Sequence, residues 1–132
     1  MNFQHDHIHL TTQDVDEWVK YYVDNLGATV TSTRESFGIK MVDVDAGGAK
    51  LRISNMTGVE KQASNQTGED VKPPAGYHHI GFLTDNVDAA IDELVSKGAT
   101  VKVPAANASP TLRCGFVVLP GGALVEICQK LG

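Results

Sequence analysis

The sequence predicts an α+β fold built from two tandem βαβββ modules. Three observations predict it. The chain repeats itself. Each copy opens with residues alternating like a strand and then shifts to helical spacing. Each copy closes on a glycine-rich hairpin between two apolar runs.

The repeat is direct. Residues 6–30 read DHIHLTTQDVDEWVKYYVDNLGATV, and residues 78–101 read HHIGFLTDNVDAAIDELVSKGATV. With Leu26 set aside as an extra residue, ten of 24 aligned pairs are identical. His7 pairs with His79, Ile8 with Ile80, Thr12 with Thr84, Val15 with Val87 and Asp16 with Asp88. The later parts, KMVDVDAGGAKLRISN (40–55) and CGFVVLPGGALVEICQ (114–129), align without a gap and place Arg52 opposite Glu126. Two copies are too few for a solenoid. They suggest two supersecondary units paired about a pseudo-twofold axis.

The elements follow in order. HIHL and HIGF are the opening strands. The first helix has Asp14 as N-cap and Glu17 as its capping-box partner. Val15, Trp18, Val19, Tyr22 and Leu26 form its apolar stripe, and Gly27 ends it. The second helix has Asn86 as cap and Val87, Ala90, Ile91, Leu94 and Val95 as stripe, and ends at Gly98. Strands are expected at about 28–34, 38–45 and 49–55, then 99–103, 113–119 and 123–129. DAGGA and LPGGA are the hairpin turns. Segment 57–76, polar with Gly and a Pro pair, reads as a flexible linker. The modules are then about 1–56 and 77–132, together one domain. PAANASPTL (104–112) reads as a second irregular loop, a lid or a disordered segment.

Composition narrows the function. A chain of 132 residues, 42% apolar and 20% charged, buries a core without needing disulfides or a structural metal. A net charge of −5 argues against a general nucleic-acid binder, which would show a basic face. No apolar run approaches a membrane span. Two cysteines, Cys114 and Cys128, form no framework and read as reduced thiols. With no secretory signal pattern, the expected location is cytoplasmic. The expected partner is a small-molecule substrate, with no nucleic acid and no membrane, and the protein is expected to be a homodimer.

HDHIHL (5–10) alternates its histidines with Asp and Ile, unlike a contiguous tag. Alternation puts His5, His7 and His9 on one face, aligned with Tyr77, His79 and Gly81. Only the middle position is histidine in both copies. Glu126 lies in the last strand and shares a face with Leu124 and Cys128. Two repeat-related histidines and a carboxylate, His7, His79 and Glu126, suit one divalent metal: Fe, Zn, Mn, Ni or Co. Against this, a strand histidine is more often structural than a ligand, and a glutamate near a C-terminus usually faces solvent.

These stretches together resemble the vicinal oxygen chelate superfamily. It includes glyoxalase I, methylmalonyl-CoA epimerase, fosfomycin-resistance transferases, extradiol dioxygenases and bleomycin-resistance proteins. LVEICQ and HHIG look closest to the epimerase branch. The resemblance implies paired modules forming a cupped mixed sheet around a central cavity that holds the metal. It places the family's ligands on His7, His79 and Glu126. The family's fourth ligand, Glu or Gln, falls on Arg52, which cannot ligate a metal. The epimerase's third-strand catalytic Glu falls near Lys40 or Met41, where no carboxylate stands.

The expected function is a metal-dependent isomerase, epimerase or lyase acting on a substrate that chelates the ion through vicinal oxygens. The alternatives are an Fe(II) ring-cleaving dioxygenase and a metal-free binding or resistance protein. Arg52 is the candidate fork for a substrate anion; otherwise its stem packs and its head reaches solvent. Glu126 and His9 are the acid–base candidates. The alternative for His9 is a hydrogen-bonded strand histidine. Tyr77 and Arg113 are candidates to line the cavity. His5 is expected to be exposed, and His78 to point away from His79.

Overall fold

The structure, a computed structural model, describes residues 2–36, 38–55 and 76–132. Its element order is β1 (Gln4–Thr11), α1 (Val15–Leu26), β2 (Thr29–Ser36), β3 (Ile39–Ala46), β4 (Ala49–Ser54), β5 (Gly76–Leu83), α2 (Val87–Ser96), β6 (Thr100–Ser109), β7 (Leu112–Val118) and β8 (Leu124–Lys130). This is βαβββ twice, an α+β fold. The linker 57–76 lies outside the described residues except for Gly76, which starts β5.

The chain falls into two compact units. One runs from His7 to His78, and the other joins the residues up to Asp6 to His79–Gly132. Phe3 belongs with the second because its ring meets Phe82 edge-on, with centroids 6.4 Å apart.

In the N-terminal unit the strand order is β2-β3-β4-β1. β1 and β4 are parallel, with Ile8 beside Leu51, His9 beside Arg52 and Leu10 beside Ile53. The other pairs are antiparallel. One face of the sheet carries Val42, Val44, Leu51 and Ile53 and packs against α1 through Val15, with Trp18, Val19 and Tyr22 partly buried. Leu26, expected in the stripe, is 58% exposed as the last helical residue. Asp14 caps the helix by accepting from Glu17 N at 3.0 Å.

The C-terminal unit repeats the plan in the order β5-β8-β7-β6. β5 and β8 are parallel, and β8–β7 and β7–β6 are antiparallel. Val87, Ala90 and Ile91 of α2 pack on Val117, Val125 and Ile127. Gly115 lets the helix approach. A Cβ there would lie 2.6 Å from Ile91 Cδ1 and 3.1 Å from the Ala105 amide nitrogen.

Two expectations are corrected. The segment 104–112 is not an irregular loop: β6 runs on to Ser109, and only Pro110 and Thr111 turn the chain. Its register slips between Val101 and Val103, between Val103 and Ala106, and between Asn107 and Ser109. Bulges break strand periodicity, and the strand lies at the edge of its module's sheet, where Pro104 is tolerated. The cysteines are not two separate thiols either. Cys114 and Cys128 face each other across β7 and β8 and are joined as a disulfide. A separation of 14 residues does not reveal that pairing, because the hairpin register decides it.

Candidate active site

In each module the strand face turned from the helix carries the polar, chemically able residues. In β1 the alternation predicted from HDHIHL is visible in burial: His5 is exposed, while His7, His9 and Thr11 are buried. The His7 and His9 rings meet at a steep angle, with centroids 6.1 Å apart. His9 Nε2 lies 2.6 Å from Ser54 Oγ, a short contact that fixes its ring. His9 lies beside Arg52 in register.

Arg52 is not a lone cation. Its Nε donates to Asp43 Oδ1 at 2.8 Å and its NH2 to Asp43 Oδ2 at 3.2 Å. Its NH1 lies 3.5 Å from His7 Nε2. Asp43 is 3% exposed at its side chain and also meets Arg34 at 3.5 Å and Lys50 at 3.7 Å. Burial pushes the Asp43 carboxyl up, but the Arg52 hydrogen bonds and the three cations outweigh it and hold it below the usual carboxylate range. One buried carboxylate thus gathers three cations. Arg34 and Lys50 reach towards solvent, being 47% and 39% exposed at their side chains.

Asp43 is a residue that the sequence did not single out. The resemblance points to a third-strand carboxylate near Lys40 or Met41, and Asp43 stands two residues beyond Met41. The signal was present in KMVDVDA, but the gapless repeat aligns Asp43 with Val117, a core residue.

In the C-terminal unit His79 is fully buried and Glu126 is 8% exposed. His79 Nε2 lies 3.4 Å from Glu126 Oε1. The pairing of β5 with β8 sets Gly81 beside Glu126, so a side chain does not intrude there. Phe116, opposite Glu126 in β7, packs its ring against His79 edge-on at 5.1 Å. An imidazole nitrogen and a carboxylate oxygen at this separation, both buried, are a donor pair of the kind that divalent first-row metals take.

The remaining predicted residues stand further out. Tyr77 is 62% exposed. Arg113 is held at the surface by a two-pronged pair with Asp88, both contacts at 2.9 Å, and by Asn107 at 3.1 Å. A cleft of about 300 Å³ lined by Asn2, Gln4, Leu83, Thr84, Asp85 and Lys130 contains none of the candidate residues.

A family model covering residues 4–127 matches the chain, and its description is Glyoxalase/Bleomycin resistance protein/Dioxygenase superfamily. The chain belongs to that superfamily. Among solved structures it is similar to hypothetical protein BH1468 from Bacillus halodurans C-125, with TM-score 0.75, 17% identity, and coverage of 100% of this chain and 97% of that one. It is also similar to methylmalonyl-CoA epimerase from Mycobacterium tuberculosis, with TM-score 0.71, 19% identity, and coverage of 97% and 88%. A Streptomyces coelicolor methylmalonyl-CoA epimerase in complex with 2-nitronate-propionyl-CoA matches with TM-score 0.71, 25% identity, and coverage of 98% of both chains. No curated protein matches the sequence closely. Among the described residues no helix is long and apolar enough to cross a membrane.

Proposed function

We propose that this protein is a divalent-metal-dependent isomerase, epimerase or lyase acting on a small, oxygenated, anionic substrate. One observation carries the reading most: His79 and Glu126, the C-terminal module's two ligand candidates, are both buried with donor atoms 3.4 Å apart. The repeat gives His79 a counterpart in His7, which is also fully buried. On that basis we assign His7, His79 and Glu126 as the ligands of one divalent ion of the Fe, Zn, Mn, Ni or Co type. Such an ion supplies Lewis acidity to neighbouring oxygens of a substrate.

The chain's own residues do the rest. Glu126 ligates and accepts a proton, as a carboxylate held by a histidine neighbour can. His9 is the second acid–base candidate, and its ring is oriented by Ser54. Arg52, oriented by Asp43 through Nε and NH2 and with NH1 3.5 Å from His7 Nε2, is the proposed fork for a substrate anion. The gathering of Arg34, Lys50 and Arg52 around Asp43 supports an anionic substrate. Tyr77 is proposed for the substrate's outer end. The likeness to a methylmalonyl-CoA epimerase in complex with 2-nitronate-propionyl-CoA supports an anionic acyl substrate.

The test is metal analysis of protein purified without chelator, beside His7→Ala and His79→Ala. One ion per chain in the wild type, lost in both variants, is expected. Absence of any bound metal between about pH 6 and 8, the range over which histidine becomes neutral, overturns the reading.

A further inference from the structure

A second group of donors lies wholly within the C-terminal module. Cys114, Glu126 and Cys128 share the strand face turned from α2. Their sulfur and oxygen donor atoms all lie within 4.8 Å of one another. The three residues are 8%, 8% and 3% exposed. Cys114 and Cys128 are register partners, with Cα atoms 4.2 Å apart. The ladder around them runs from Leu112–Lys130 to Val118–Leu124 and holds the two side chains face to face by backbone hydrogen bonds. The juxtaposition therefore does not depend on the sulfur–sulfur bond. Breaking that bond leaves two thiols and a carboxylate gathered in a buried place.

We propose that reduction of the Cys114–Cys128 disulfide opens a site for a thiophilic divalent cation such as Zn²⁺, held by Cys114, Cys128 and Glu126. The chemistry balances simply. A small dithiol delivers two electrons and two protons, the sulfur–sulfur bond breaks, and the reductant leaves as its own cyclic disulfide. Zn²⁺ then displaces both thiol protons to solvent. Zn–S bonds of about 2.3 Å at a tetrahedral angle set two sulfurs about 3.8 Å apart. The bonded sulfurs lie closer than that and part to it once the bond is broken. Thiolate pairs favour Zn²⁺ and its spectroscopic substitute Co²⁺ over hard cations. No residue of the N-terminal module takes part, so the site does not rest on the function proposed above. It shares only Glu126 with that reading, and a cation held by the thiolates withdraws Glu126 from His79.

The experiment uses the full chain, reduced anaerobically and freed of reductant, and titrated with Co²⁺ and then Zn²⁺. A thiolate-to-cobalt charge-transfer band is expected in the near ultraviolet for the reduced protein and not for the oxidised one. It should vanish in Cys128→Ser and persist in His7→Ala. Because Cys128→Ser sits in a packed hairpin, a second measurement uses the wild type alone. Equimolar Zn²⁺ should slow the reaction of both thiols with an aromatic disulfide reagent at least tenfold. Either no charge-transfer band in the reduced wild type or no protection by Zn²⁺ overturns the proposal. His7→Ala separates the two readings, since it removes the histidine-held metal and leaves the thiolate band.

Discussion

Replacing Asp43 by Ala tests the electrostatics of the N-terminal module. Asp43 is 3% exposed at its side chain, Arg52 is 15% exposed, and two hydrogen bonds of 2.8 and 3.2 Å join them. Removing one partner of a buried pair leaves the other charge uncompensated, at a cost of about 3–5 kcal/mol. Arg34 and Lys50 are far more exposed, so each adds less than about 1 kcal/mol. The partial exposure of Arg52 puts the expected loss near the lower figure, about 3 kcal/mol. With a urea slope of about 1.5 kcal/mol/M, the unfolding midpoint falls by about 2 M. The double variant Asp43→Leu/Arg52→Met should come within about 1 kcal/mol of wild type, because an apolar pair replaces a buried ionic one. A loss below about 1 kcal/mol in Asp43→Ala, or a double variant as unstable as the two single losses summed, refutes the reasoning. The pH dependence gives a second check. The folded carboxyl is depressed, so its contribution is complete above the ordinary aspartate range near about pH 3.9 and is lost as pH falls through the lower folded value. The stability gap between wild type and Asp43→Asn should therefore narrow on acidification.

Gly115→Ala forces a methyl group against Ile91 and the Ala105 backbone, and should cost about 1–3 kcal/mol by thermal or urea unfolding. Asn86→Ala removes the oxygen that accepts from Ala89 N at 3.0 Å, and should cost about 1 kcal/mol, whereas Asn86→Asp should be close to neutral. Ser54→Ala removes the hydroxyl 2.6 Å from His9 Nε2, and should cost about 1–3 kcal/mol while shifting the His9 ring ¹⁵N resonances. An unchanged His9 spectrum would show that Ser54 does not orient the ring.

Much of this was legible in sequence, for a physical reason. A strand alternates with period two, so HDHIHL by itself fixed that His5, His7 and His9 share a face, and the structure buries the latter two. The repeat singled out His7 and His79 because duplication copies position, and caps Asp14 and Asn86 are local chemistry. The bulged course of β6 was not legible, since each bulge resets the alternation.

Tertiary structure decided what register alone controls. Gly47 and Gly48, with φ of 65° and 96°, make a two-residue turn closed by Ala46 and Ala49. The β7–β8 hairpin turns more widely, from Val118 to Leu124. The pairings differ by one residue: Asp43 faces Arg52, whereas Phe116, not the aligned Val117, faces Glu126. A one-residue slip carries a side chain from one sheet face to the other. The sequence by itself determined the two modules, their helices and the histidine face. The hairpin registers decided that Asp43 turns towards Arg52 and that Cys114 meets Cys128, because backbone hydrogen bonds between strands, not spacing along the chain, set which residues stand opposite each other.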